Sequence, residues 1–143
     1  MDVAKAKEYL KSLHALEIKI EQRNIQIEEL RLKAMGVGSP GIDPNKVQVS
    51  TKGDKMSNAV GDIVDMQRET EELIVMLEKK RDEIISRIHR LTEPKYIAIL
   101  FKKYVEKKPH RIIADEVGYA QQYERALLAE ALREFARKNQ DIK

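Results

Sequence analysis

The chain has 143 residues, of which 42% are hydrophobic, 36% charged and 5% aromatic, with no cysteine and no tryptophan. That length allows one domain, or a small domain with an extension, and many charges with few aromatics predict narrow apolar stripes rather than a thick core. The missing cysteines exclude disulfides, Cys-ligated zinc and thiol catalysis, and they suit a reducing cytoplasm.

The longest apolar run, "YIAILF" at 96–101, is far too short to span a bilayer, and "MDVAKAKEYLKSL" lacks the apolar stretch of a signal peptide. A soluble protein with no membrane partner is expected. The net charge is +3 and unevenly placed. From Pro94 onward 11 Lys and Arg face 7 acids, a net of +4, which leaves the earlier part at −1. A basic C-terminal third is the footprint of a domain that meets a polyanion.

Asp2 to Ala34 reads as one long helix capped by Asp2, with Leu10, Leu13, Leu16, Ile20, Ile27 and Leu30 at spacings of three, four and seven. "GVGSPG" at 36–41 ends it, and Gly36 to Gly53 is expected to be a long loop with "KVQVS" at 46–50 extended. Loops of that length usually carry function or motion. A second helix, capped by Asp54 or Ser57, runs to about Leu91. Met56, Val60, Ile63, Ile74, Leu77, Ile84, Ile88 and Leu91 hold a heptad-like register that Gln67, Thr70 and Arg81 weaken midway. Two helices of about 50 Å each predict an antiparallel hairpin, and the weak middle predicts that the seam also receives a second copy of the chain.

Thr92 is the expected cap of a third helix that has Pro94 in its first turn and ends near Glu106, with Ile97, Leu100, Phe101, Tyr104 and Val105 inward. Pro109 opens a short helix holding Ile112, Ile113 and Val117, which Gly118 closes in the left-handed conformation. The last helix, about Ala120 to Lys138, turns Tyr123, Leu127, Leu128, Ala131, Leu132 and Phe135 inward. Short helix, tight turn and long amphipathic helix make a helix-turn-helix pattern, with Ala114 and Gly118 as the small residues of the turn. The expected fold is all-α: a long antiparallel helical hairpin over 1–93, then a three-helix helix-turn-helix domain over 94–143.

In that pattern Gln121, Gln122 and Arg125 are the first outward residues of the recognition helix, where Gln pairs with adenine and Arg with guanine in the major groove. Lys107, Lys108, His110 and Arg111, just before and at the start of the preceding helix, are the candidate phosphate contacts. His14, His89 and His110 have no metal-ligand spacing, and "GVGSPG" lacks the Gly-Lys-Ser/Thr of a phosphate-binding loop. No catalytic residue, metal or cofactor is expected, and the chain does not read as an enzyme.

The segment "PKYIAILFKKYVEKKPHRIIADEVGYAQQYERALLAEALREF" resembles the C-terminal DNA-binding segment of bacterial sigma factors. The whole chain is similar to late-gene transcriptional regulators encoded by phages and prophages of Gram-positive bacteria. "VQVSTKGDKM" at 47–56 resembles the V-x-x-S-x-x-x-D-K-M pattern common in their linkers. The resemblance implies a cytoplasmic protein of a bacterial host that regulates transcription, binds double-stranded promoter DNA, and dimerises through the hairpin or contacts RNA polymerase. The sequence departs from the family where Ala120 replaces a capping Ser, Glu124 an apolar residue and Ala126 a basic one. Two other architectures share these elements: a DNA-packaging recognition subunit of the small-terminase kind, and a coiled-coil adaptor that never touches DNA.

Overall fold

The computed structural model describes residues 1–36 and 49–142, and from 49 to 57 the backbone alone. It is all-α, with no strand among the described residues. The helices are α1 (Val3–Ala34), α2 (Val49–Ile88), α3 (Pro94–Leu100, continued by a π-helical turn, Phe101–Val105), α4 (His110–Val117) and α5 (Gln121–Lys138).

The helix starts follow local chemistry. Asp2 caps α1 as expected, its Oδ1 accepting from the Lys5 amide at 2.8 Å. Helix α2 begins earlier than expected: Val49 and Ser50 are already helical, so Asp54 and Ser57 lie inside the helix and not at its start. The rest of the anticipated extended stretch, 46–48, and most of the loop fall outside the described residues. A short extended stretch with no partner strand pairs neither its amides nor its carbonyls, whereas the first residues of a helix have their carbonyls satisfied by the turn that follows. At the next start the cap is Glu93 rather than Thr92, its side chain reaching the Lys95 amide at 3.5 Å, and Pro94 takes the first helical position.

Packing divides the chain into two compact units, Met1–Glu17 with Leu77–Lys143, and Ile18–Met76. The division falls inside both long helices, because the core of the first unit draws on all five. Ala6, Leu10 and Leu13 of α1 join Ile84 and Ile88 of α2, Ile99 and Leu100 of α3, Ile113 of α4, and Leu128, Leu132 and Phe135 of α5. Tyr9 stacks on Phe135 with ring centroids 6.2 Å apart, and its hydroxyl donates to Glu83 at 2.6 Å. The end of α5 is tied to the end of α2 through Asn139, which is fully buried. Its Nδ2 donates to the Phe135 carbonyl at 3.0 Å, and its Oδ1 accepts from Arg90 at 3.1 Å. Asp141 accepts from Arg87 and Arg90 at 2.9 and 2.8 Å.

In the second unit Ile20, Ile27 and Thr70 are buried, and the Thr70 hydroxyl turns back onto the Met66 carbonyl at 2.7 Å. Its heptad positions are not all inward. Val60 is 55% exposed and Ile74 37%, contrary to their expected place in the seam. An apolar period fixes a stripe but not the neighbour that covers it.

Candidate nucleic-acid interface

Helix α4 ends as the sequence predicts. Gly118 adopts the left-handed conformation (φ 77°, ψ 29°), and its amide and that of Tyr119 both return to the Ala114 carbonyl. Ala114 is buried, as a small residue at a helix crossing should be. Gly118 has open space where a Cβ would stand, so its role is conformational and not one of clearance. Ala120 is extended and leads directly into α5 without a side-chain cap.

Three consequences follow for α5. Leu127, Leu128, Ala131, Leu132 and Phe135 are buried as expected, which fixes the rotation of the helix about its axis. Tyr123 is not inward: it is 48% exposed and packs edge-on against Tyr119 at 4.6 Å. The position it was expected to fill belongs to Glu124, whose side chain is fully buried. Both Glu124 oxygens lie on Nδ1 of His110, at 2.7 and 3.0 Å, so this carboxylate joins the first turn of α5 to the first residue of α4. A buried carboxylate persists only with such a partner. That pairing accounts for the polar residue where the family resemblance calls for an apolar one.

The expected base readers share one surface. Gln121, Gln122 and Arg125 are all exposed at the start of α5, with no hydrogen-bond or ion-pair partner among the described residues. The expected phosphate contacts are placed differently. His110 is committed to Glu124. Lys107 pairs with Glu17. Lys108 pairs with Glu106 and Glu116 at 2.8 and 2.7 Å, and Glu116 also receives Lys102 at 2.6 Å. These bonds hold the Glu116 carboxyl below its usual range and the Lys108 ammonium above its own. Of the four, only Arg111 is exposed and unpaired among the described residues. Three of the four expected phosphate contacts are therefore engaged by acidic side chains, of which only Glu17 lies outside the segment whose net charge is +4.

No group of three His, Asp or Glu side chains among the described residues could hold a metal ion. No helix among them is long and apolar enough to cross a membrane. Comparison with protein-family models, curated proteins and solved structures gives no match.

Proposed function

We propose that the chain is a sequence-specific DNA-binding regulator of the phage or prophage kind, with α4 and α5 as a helix-turn-helix and α5 as the recognition helix. The observation that carries this reading is the exposed trio Gln121, Gln122 and Arg125. They occupy the first two turns of a helix held from behind by α3 and α4. The apolar face of α5 is used up by the core, so this polar face is what a major groove would meet. Arg111 and Arg125 supply the unpaired positive charge nearest the turn.

A homodimer suits the second unit. Helix α1 carries two heptad rows: Ala6, Leu13, Ile20 and Ile27 are buried, whereas Ile18, Ile25 and Leu32 are 41, 52 and 39% exposed. An exposed apolar row with heptad spacing is what a second copy of the helix packs against. Two copies would bring two recognition helices to one operator. RNA polymerase is the other partner that the resemblance implies.

The engagement of Lys107, Lys108 and His110 by carboxylates favours a second reading, a coiled-coil adaptor with no nucleic-acid partner. Selection of bound fragments from the source genome decides between them. Enrichment of promoter sequences is the outcome expected here, enrichment of one packaging site indicates a packaging subunit, and no enrichment leaves the adaptor.

A further inference from the structure

Of the five tyrosines and two phenylalanines, all of them among the described residues, only Tyr123 is exposed. Among the described large hydrophobic side chains of the first compact unit, Val3 and Tyr123 are the exposed ones, at 36 and 48%. Val3 opens α1, whereas Tyr123 stands in the first turn of α5 beside Gln121 and Gln122.

An isolated surface hydrophobe calls for no explanation. Tyr123 is not isolated: its ring meets Tyr119 edge-on with centroids 4.6 Å apart, and Tyr119 packs against the core. Edge-on rings attract through their opposed partial charges, so the Tyr123 ring is propped in place before any partner arrives. Little side-chain freedom is left for it to lose on contact.

Residues three and four apart adjoin on the surface of an α-helix. Ala126, which is exposed, therefore adjoins both Gln122 and Tyr123, while Arg125 adjoins Gln121 and Gln122. The start of α5 carries a polar half, Gln121, Gln122 and Arg125, and an apolar half, Tyr123 and Ala126, and the two meet at Gln122. An A·T pair presents the same combination on its major-groove edge. Its adenine N7 and N6 amino group suit a glutamine, and its thymine C5 methyl suits an apolar side chain. Arg111 and Arg125, which have no ion pair among the described residues, supply the positive charge that would hold DNA against this surface.

Resting on the reading of α5 as the recognition helix, we propose that Tyr123 recognises a thymine through its C5 methyl, beside an adenine read by Gln122. The Tyr123 ring covers the methyl and takes it out of water, and the small side chain of Ala126 lets the base edge approach. The Tyr123 hydroxyl takes no part in the discrimination.

The test replaces each thymine of the fragment selected by the parent protein, one at a time, with deoxyuridine, which loses the methyl and keeps every hydrogen-bonding group. Affinities are measured by fluorescence anisotropy for the parent, Tyr123→Ala and Tyr123→Phe. With the parent, one or two positions should lose about three- to fivefold in affinity, the value of one buried methyl. At those positions Tyr123→Ala should bind thymine and deoxyuridine alike, while Tyr123→Phe keeps the parent's ratio. Both variants should keep the parent's helicity and its affinity for a scrambled fragment, because Tyr123 lies outside the core. A parent that prefers its fragment to a scrambled one yet ignores every methyl overturns this proposal and leaves the reading of α5 standing. A methyl effect that persists in Tyr123→Ala, or that Tyr123→Phe also loses, overturns the assignment to the Tyr123 ring. A parent with no preferred fragment overturns both readings and leaves the Tyr119–Tyr123 pair to a protein partner.

Discussion

His110→Ala is expected to be among the most destabilising single changes at a partly exposed position of this protein, because it leaves a fully buried carboxyl group without its hydrogen-bond partner. The Glu124 side chain is fully buried, and His110 supplies its hydrogen bonds at 2.7 and 3.0 Å. Removing one partner of a buried pair costs up to about 3–5 kcal/mol when the group left behind is charged. Here the figure should be smaller, since the His110 side chain is 31% exposed and water can enter the vacated space. About 2–3 kcal/mol is expected, near the value of a hydrogen bond to a charged group. Glu124→Leu removes the same bond but leaves no buried charge, and the imidazole it releases can turn to water. Its cost should stay within about 1 kcal/mol, and His110→Ala on that background should add less than about 1 kcal/mol. Urea unfolding followed by helicity measures all four corners of the cycle. Additive costs, or a His110→Ala change below about 0.5 kcal/mol, would show that the pair does not hold α4 to α5.

Gly118 is retained for its φ of 77° and not for space, so Gly118→Ala should cost about 1 kcal/mol, Gly118→Val more, and Gly118→Asn least, as thermal melts can rank. Equal melting in all three would mean the turn tolerates any residue. Hydrogen bonds from Arg87 and Arg90 hold the Asp141 carboxyl well below the usual aspartate range. A depressed carboxyl contributes stability above its unfolded pKa of about 3.9 and loses it as the pH falls from there through the folded value. Asp141→Asn should therefore flatten the decline in melting temperature below about pH 4; an unchanged acid limb would remove Asp141 from the account. If the exposed row on α1 is the dimer seam, the parent should have twice the 16.5 kDa chain mass by light scattering, and Ile25→Lys with Leu32→Lys should halve it without loss of helicity. A monomeric parent, or a variant of unchanged mass, contradicts that seam.

How much of this was legible in sequence depended on how far apart the partners lie along the chain. The turn between α4 and α5 was readable because Ala114, Gly118 and the flanking apolar residues fall within a few positions, where local backbone rules decide. Pro94 and Asp2 were readable for the same reason. The clasp between His110 and Glu124 was not, since neither residue carries a spacing signal and only the fold brings them to 2.7 Å. The same holds for Asn139, which meets Arg90 from 49 positions away. The lysines misled in a different way: a charge count does not say which lysines are paired, and in space Glu17 takes Lys107 while Glu106 and Glu116 take Lys108. Heptad spacing found the apolar rows but could not say which one faces inward, so Val60 and Ile74 were assigned to a seam they do not occupy.

The central claim is that the start of α5 reads bases. It is tested most directly by comparing the affinity of the full chain for its selected DNA fragment and for a scrambled one, in the parent and in the combined Gln121→Ala, Gln122→Ala, Arg125→Ala variant. Each base contact is worth about 1–3 kcal/mol of discrimination, so the parent should prefer its fragment at least tenfold and the variant should lose most of that preference while still binding random DNA. The Lys107 and Lys108 ion pairs predict a shallow salt dependence in both, since each phosphate contact contributes only about 0.9 to the slope. A parent that does not distinguish the two fragments, or a variant that distinguishes them as well as the parent, would contradict the claim.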